Sequence, residues 1–184
     1  MSVLKSNRPF FMFLAKFTLS YLLLSGIYWL YLEQFDADKH EPDGVTHMVA
    51  KQAMGLCLIL GEQASIEPHD KEASYRFRVN GKRVARIVEG CNAVSVMILF
   101  TAFIIAFSST VKRTALFIIA GIVIIHLLNI ARVGLLCIAY FHYPEYQKLL
   151  HDIVFPLFIY GVVFVLWLLW VLKFSGNAYS SKNK

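Results

Sequence analysis

The chain has 184 residues, of which 58% are hydrophobic and 16% are charged. Soluble domains average about 45–50% apolar and about 25% charged residues, so this composition excludes an ordinary soluble domain. The length leaves room for a single domain. The formal net charge is +6, but the basic residues are not gathered into one patch, which argues against nucleic acid as a partner. We interpret them instead as signals of membrane topology.

Four apolar segments are long enough to cross a bilayer core of about 30 Å, which takes about 20 helical residues. They are residues 10–32, 91–108, 114–131 and 153–172. The third apolar run continues to residue 143, and a single helix of that length, about 45 Å, would protrude, tilt strongly or break near Gly134. The sequence therefore predicts an all-α polytopic membrane protein, residues 1–184 forming one membrane domain with about four transmembrane helices.

The charged residues indicate how the spans are oriented. If the N-terminus lies inside, every acidic residue, from Glu33 to Asp152, falls on the outer side. The inner side then carries the basic residues Lys5, Arg8, Lys112, Arg113, Lys173, Lys182 and Lys184. Because cytoplasmic loops are enriched in Lys and Arg, we predict that both termini are cytoplasmic.

Residues 33–90 form the predicted outer loop. It begins with the acidic residues Glu33, Asp36, Asp38, Glu41 and Asp43. Residues 45–60 carry apolar side chains near helical spacing, which predicts an amphipathic helix at the membrane surface. Further on, Asn80–Gly81 separates two alternating runs, the strongest short signal for a β-hairpin.

The predicted hairpin has two chemically different faces. One face would carry Tyr75, Phe77, Val79, Val84 and Val88, and the other Arg76, Arg78 and Arg83. The basic face is explained either by contact with lipid headgroups or by a role as an electropositive lip that guides an acidic substrate peptide.

The predicted topology brings three reactive residue types to the outer face. Cys91 opens the second span, Arg132 closes the third and His151 precedes the fourth. A thiolate is a strong nucleophile, and a nearby cation or helix N-terminus favours the thiolate form. An Arg near a bilayer is costly and normally partnered, and a His can carry a proton between a thiol and a leaving amine. The three residues form a candidate catalytic set.

Each member of this set also has a structural interpretation. Arg132 alone fits an anchor whose charged end reaches the membrane interface. His151 alone fits a structural residue beside Asp152 at the headgroup boundary. His126 and His142 are alternative bases at other depths.

The cysteines leave further alternatives open. Cys57, Cys91 and Cys137 all lie on the predicted outer side, where disulfides persist, so a Cys57–Cys91 disulfide competes with catalysis. A thiol–disulfide oxidoreductase would need a Cys-x-x-Cys pair, which the sequence lacks. A non-catalytic membrane assembly subunit would explain the spans and the hairpin, but it gives no reason for Cys91 and Arg132 to meet.

Two motifs around these residues resemble those of a known family. Residues 89–93, Glu-Gly-Cys-Asn-Ala, resemble the cysteine motif of the exosortase/archaeosortase family, which often has Ser-Gly after the cysteine. Residues 129–132, Asn-Ile-Ala-Arg, resemble its Asn-x-x-Arg motif, and His151 follows before the last span as the third residue of that family does. The resemblance covers roughly residues 84–161, and the chain is most similar to the compact exosortase-F type (XrtF).

The resemblance implies a membrane-embedded cysteine transpeptidase or protease that cleaves the C-terminal sorting signal of exported proteins, without metal or organic cofactor. Cys91 would form a thioester, Arg132 would hold the thiolate or the oxyanion, and His151 would protonate the leaving amine. Supporting or substrate-binding candidates are Asn92, Asn129, Glu89, Arg76, Arg78 and Arg83. The expected partners are exported proteins and membrane lipids, and the expected location is the bacterial inner membrane, with the site facing the periplasm.

Overall fold

A computed structural model describes residues 7–35, 42–107 and 109–175. The described elements are helices α1 (Arg8–Leu32) and α2 (Gly44–Ile59), strands β1 (Ala64–Pro68), β2 (Tyr75–Val79) and β3 (Lys82–Ile87), and helices α3 (Val94–Ala106), α4 (Val111–His142), α5 (Gln147–Leu149) and α6 (Phe155–Leu169). Short 3₁₀-helical turns adjoin them at Glu89–Cys91 and Pro144–Tyr146, and π-helical turns at Leu150–Val154 and Trp170–Ser175. Residues of the topology prediction that lie outside the described part are Lys5, Asp36, Asp38, Glu41, Ser108, Lys182 and Lys184.

Three helical segments in the described part of the chain are long and apolar enough to cross a membrane: Arg8–Leu32, Val111–His142 and Pro144–Phe174. This confirms a mostly helical membrane protein. Helix α3, within the second predicted span, has only 13 residues, a rise of about 20 Å. Helix α4 is continuous over 32 residues, about 48 Å, so the third apolar run does not break near Gly134.

Helix α2 begins at a well-formed cap. The Asp43 side chain accepts hydrogen bonds from the backbone N–H groups of Val45 and Thr46, both at 3.0 Å, which satisfies two donors that the first helical turn leaves unpaired. The predicted helix therefore forms here. Its buried face consists of Thr46, Val49, Ala50, Ala53 and Cys57. That face packs on α4 and on the sheet.

The three strands form an antiparallel sheet in the order β1-β2-β3. Between β2 and β3, Asn80 and Gly81 have φ values of 50° and 78°, as the tight turn of a two-residue hairpin requires. Tyr75, Phe77 and Val79 are buried on one face of β2. The alternation along β2 thus turns its aromatic and aliphatic side chains toward the protein interior.

A β-bulge changes which residues of β3 share that buried face. Phe77 pairs with Ala85, whereas the next residue, Arg78, pairs with Arg83, so Val84 is the extra residue. A shift of one residue moves every following side chain to the opposite face. Ile87 therefore lies opposite Tyr75 and is buried. Without the bulge, Arg86 would lie opposite Tyr75, and Val88 rather than Ile87 would belong to the buried face, as the sequence predicted.

The buried side chains form two clusters that α4 connects. The first lies between α2, the sheet and the C-terminal half of α4, and consists of Val49, Ala50, Ala53, Cys57, Tyr75, Phe77, Val79, Ile87, Val133 and Cys137. The second lies among α3, the N-terminal half of α4 and α6, and consists of Ala93, Phe100, Ile104, Ile125, Val163, Leu166 and Trp170. Helix α1 packs beside α3. The single helix α4 therefore holds the apolar bundle and the sheet together.

Two glycines of α4 mark its closest contacts. A Cβ added at Gly134 would lie 3.0 Å from Leu56 Cδ2 and 3.4 Å from the Ala53 carbonyl oxygen, so α2 approaches α4 closely there. A Cβ at Gly121 would overlap the ring of Phe100, which is fully buried on α3. Small residues let helix backbones approach closely in membranes.

We expect Gly121→Ala to lower the thermal midpoint of the detergent-solubilised protein, because the buried Phe100 ring must leave its packed position. Overpacking of this kind costs about 1–3 kcal/mol. The matched control is Gly161→Ala in α6, where an added Cβ meets no atom of the described residues within 4 Å. That variant should be neutral or more stable, since Ala favours a helix over Gly by about 1 kcal/mol. Equal midpoints for the two variants would contradict the packing argument.

Candidate active site

One small cavity brings together the three predicted catalytic side chains. Cys91, Arg132 and His151 all line it, and its volume is about 50 Å³. Its other lining residues are Ala85, Arg86, Ile87, Val133, Leu136, Cys137 and Tyr140. The cavity therefore lies where the last strand of the sheet, one face of α4 and the turn before α6 meet.

Cys91 is the last residue of the turn Glu89–Cys91 and precedes α3, which begins at Val94. The prediction that Cys91 opens the helix is therefore wrong by three positions. The dipole of a helix acts most strongly within its own first turn, so it acts on Cys91 only from a distance. A cation beside the thiol is then the stronger means of favouring the thiolate.

The backbone after Cys91 is held in an unusual conformation. Ala93 has φ 60° and ψ 12°, in the left-handed region that costs a residue with a Cβ about 1–2 kcal/mol. This is the position at which the resembled cysteine motif often has Gly, which adopts such angles without penalty. Ala93 is nevertheless buried. The surrounding contacts therefore impose the turn that sets the direction of Cys91.

Asn92 supplies several of those contacts. Its Oδ1 accepts a hydrogen bond from the Val94 backbone N–H at 2.9 Å, and its Nδ2 donates to Tyr28 Oη at 2.9 Å and to Thr46 Oγ1 at 3.2 Å. The Thr46 hydroxyl in turn donates to the Asp43 carboxylate. Asn92, Thr46 and Asp43 are all buried. The turn after Cys91 is thus tied to both α1 and α2.

Asn129 links Cys91 to Arg132. This fully buried residue of α4 donates from Nδ2 to the Cys91 carbonyl oxygen at 2.8 Å and accepts at Oδ1 from Arg132 Nη1 at 3.4 Å. Arg132 lies inside α4, which continues to His142. The helix therefore continues past Arg132, which is one of the alternatives that the sequence left open, and the position of Arg132 at the end of its span stays a prediction. Both motifs, residues 89–93 and 129–132, meet through this one amide.

His151 lies in the π-helical turn Leu150–Val154, which precedes α6. Its side chain is 61% exposed, and its Nδ1 lies 3.0 Å from Asp152 Oδ1. When Nδ1–H donates to that carboxylate, Nε2 is left as the proton acceptor. His151 therefore has the partner that an acid–base histidine needs.

The alternative bases lie elsewhere in the structure. Within the described residues, neither His126 nor His142 lines this cavity. His142 Nε2 lies 2.7 Å from Glu62 Oε1. The hydrogen bond from His142, followed by one from Asn80, holds the pKa of the Glu62 carboxyl below its usual range. The contact between His142 and Glu62 therefore links the C-terminal end of α4 to the loop before β1.

The predicted supporting residues of the sheet do not line the cavity. Arg76 pairs with Asp70, and Arg78 Nε lies 3.3 Å from Glu67 Oε2. The hydrogen bond from Arg76 and its charge lower the pKa of Asp70. Arg83 is exposed on β3.

Glu89 lies beside a larger cavity of about 440 Å³, whose lining residues include Asp43 and Gly90. Two polar residues of the small cavity were missed by the sequence analysis, Arg86 and Tyr140. Tyr140 could have been found from helical spacing, because Arg132, Leu136 and Tyr140 recur every four residues on one helix face.

The three cysteines have different environments, and all are free in the structure. Cys57 and Cys137 are buried, whereas Cys91 is partly exposed. The Cys57 thiol donates to the Gly134 carbonyl oxygen at 3.6 Å. Burial, assisted by the nearby Glu62 charge, raises the pKa of Cys57 to about 11. Cys57 is therefore a packing residue between α2 and α4.

We expect iodoacetamide at pH 8 to modify Cys91 first in the purified, unreduced protein. Cys57 is buried, and with a pKa of about 11 only about one Cys57 thiol in a thousand is ionised at that pH. Peptide mass spectrometry should show Cys57 and Cys137 modified only after unfolding. Modification of Cys91 that appears only after a reductant would indicate a Cys57–Cys91 disulfide and contradict this expectation.

The comparison with known proteins assigns the chain to a family. The family model of the transmembrane exosortase matches residues 11–172. This stretch includes the sheet, every residue of the small cavity and the three apolar segments except for residues 8–10 and 173–174. No curated protein sequence and no solved structure matches the chain. Because the family match extends over most of its length, the chain belongs to the transmembrane exosortase family.

Proposed function

We propose that this protein is a cysteine transpeptidase that cleaves the C-terminal sorting signal of exported proteins. Membership of the transmembrane exosortase family indicates a membrane transpeptidase of protein sorting. The observation that carries the finer proposal is that Cys91, Arg132 and His151, from three separate elements, line one cavity. A thiol, a fixed cation and an acid–base imidazole are the groups that acyl transfer requires.

In this mechanism the Cys91 thiolate attacks the scissile carbonyl carbon and forms a tetrahedral intermediate. Arg132 stabilises the negative charge, first on the thiolate and then on the carbonyl oxygen. When the C–N bond breaks, protonated His151 donates its Nε2 proton to the leaving amine, and a thioester remains on Cys91. An acceptor nucleophile then releases the processed protein.

Asn129 has a positioning role in this proposal. Its amide holds the Cys91 carbonyl and one Arg132 nitrogen with the two ends of the same side chain. Cys91 and Arg132 therefore keep the same position relative to each other. Such preorganisation is what makes an electrostatic contribution to catalysis large, because the groups do not reorient during the reaction.

The proposed substrates are exported proteins that end in a short motif, a transmembrane helix and a basic cluster. Many apolar side chains of α1 and α6 are exposed, among them Leu19, Leu22, Leu23, Leu157 and Phe164, so these surfaces suit lipid or a substrate helix. We further propose the bacterial inner membrane as the location, with the cavity on the periplasmic side, and the compact exosortase-F type as the subtype. The one-sided distribution of acidic residues supports this orientation.

The orientation can be measured with reporter fusions in a bacterial host. Fusions after residues 70 and 148 should report an outer location, and fusions after residues 112 and 178 an inner one, because Lys112, Arg113 and Lys173 would then be cytoplasmic. An inner location after residue 70 would place the sheet and Cys91 on the cytoplasmic side. That result would contradict cleavage of exported proteins by this chain.

Arg132→Lys separates a catalytic role from a membrane anchor. Lys keeps the charge and a long apolar stem, which is sufficient for an anchor, but it lacks the planar fork of donors. We expect the variant to accumulate normally and to lose about 10²-fold or more of its processing rate, as on removal of an oxyanion donor. The assay follows loss of a C-terminal tag from a co-produced exported protein of the same genome that carries such a signal.

The matched control is Arg113→Lys, the same chemical change on the same helix away from the cavity, which should process normally. Cys91→Ala and His151→Ala should be as inactive as Arg132→Lys, and combining them should add little, since groups that act as one unit are not additive. Normal processing by Arg132→Lys would return Arg132 to the anchor interpretation. Normal processing by Cys91→Ala would overturn the proposed function and favour an assembly role.

A further inference from the structure

We propose that Tyr140 is a further catalytic residue, whose hydroxyl donates a hydrogen bond to the carbonyl oxygen of the substrate as it becomes an oxyanion. This inference rests on the proposed function, because it assigns a second donor to the same acyl transfer. Tyr140 belongs neither to the cysteine motif nor to the Asn-x-x-Arg motif. It lines the cavity together with Cys91, Arg132 and His151.

The first observation is that the Tyr140 hydroxyl is buried without a partner. The side chain is 7% exposed, and its Oη has no hydrogen-bond partner among the described residues. A buried donor left unpaired costs about 1–3 kcal/mol, and buried polar groups nearly always have partners. Such a group therefore indicates a position that a ligand atom completes.

The second observation is that Arg132 presents a similar donor to the same cavity. Its Nη1 is bonded to Asn129 Oδ1, while its Nε is buried without a partner within the described part of the chain. The other buried unpartnered side-chain atoms belong to residues that do not line this cavity. Two residues of α4 that line the cavity with Cys91 thus each have a buried side-chain donor without a partner among the described residues.

The chemistry of these two donors selects the kind of atom that they bind. A guanidinium N–H can only donate a hydrogen bond, and we assign the donor role to the Tyr140 hydroxyl as well. Both groups therefore favour a negatively charged acceptor oxygen. The cavity of about 50 Å³ has room for a group of a few atoms such as a carbonyl, since one water needs about 10–15 Å³. An oxyanion held by two preorganised donors is stabilised far more than in solution.

The reaction step is balanced without any further reagent. The thiolate sulfur of Cys91 bonds to the carbonyl carbon, and the electron pair of the C=O bond moves to the oxygen. Tyr140 O–H and Arg132 Nε–H donate to that oxygen, and neither proton is transferred. The electron pair then returns and re-forms the C=O bond, the C–N bond breaks, the leaving amine takes the Nε2 proton of protonated His151, and the Cys91 thioester remains.

The test compares acylation with alkylation of the same thiol in the purified full chain. Acetylation of Cys91 by p-nitrophenyl acetate passes through an oxyanion, whereas its alkylation by iodoacetamide is a direct displacement at a saturated carbon and forms none. Mass spectrometry of the Cys91 peptide gives both rates. We expect Tyr140→Phe to slow acetylation by about 10²-fold, the effect of losing one oxyanion donor, and to leave alkylation within about twofold.

Two controls separate the hydroxyl from the fold. Tyr143→Phe makes the same chemical change at an exposed position just after α4 and should leave both rates unchanged. The thermal midpoint of Tyr140→Phe should be equal to or above that of the parent protein, because the variant removes a buried unpaired group. Loss of acetylation together with a lower midpoint would count against a catalytic role.

The remaining outcomes distinguish the two proposals. Equal slowing of acetylation and alkylation would show that Tyr140 affects the reactivity of the Cys91 thiol and not the stability of the oxyanion. An unchanged rate of acetylation would show that it affects neither. Either result overturns the role of Tyr140 and leaves the proposed function standing. If Cys91 of the parent protein is not acetylated faster than Cys57 after subtraction of the unfolded fraction, the proposed function fails and this inference fails with it.

Discussion

The hydrogen bond from the Asn129 amide to the Cys91 carbonyl is the contact on which the arrangement of this site depends. An amide in an apolar helix is costly to bury unless both of its ends are paired, and here Nδ2 and Oδ1 both have partners. The bond fastens the turn Glu89–Cys91 to the middle of α4. Because α4 also runs through both buried clusters, the site lies where the apolar bundle meets the sheet.

A second constraint acts on the other side of Cys91. Ala93 stays in the left-handed region, which persists only where surrounding contacts over-determine the backbone. The hydrogen bonds of the Asn92 side chain with Tyr28, Thr46 and Val94 hold the backbone in this conformation. They also give α1 a specific polar attachment, although the apolar window of that helix buries none of its residues. The strained residue and the contacts that compensate for it both lie next to Cys91, an arrangement that is common at functional sites.

The sequence predicted the membrane character, three of the long helices, the α2 helix and the convergence of Cys91, Arg132 and His151, because hydropathy, helical spacing and turn residues are local signals. The sequence placed Cys91 and Arg132 at helix ends, because hydropathy indicates where an apolar segment ends. The end of the helix itself depends on where its backbone hydrogen bonds end. The helix α4 continues past Arg132 because its far half packs against α2 and the sheet. The bulge at Val84 and the position of Tyr140 likewise depend on contacts between distant segments.

The continuation of α4 beyond Arg132 has a consequence for the chemistry. A helix that ended at Arg132 would leave the guanidinium at the membrane interface, where water screens it and its side chain moves freely. Two further helical turns bring Leu136 and Tyr140 over the same cavity and cover it with Val133 and Cys137. Arg132 is partly buried there, and a charge in a region of lower dielectric interacts more strongly with a neighbouring charge. The same extension that binds the sheet to the bundle therefore also creates the electrostatic environment of the proposed nucleophile.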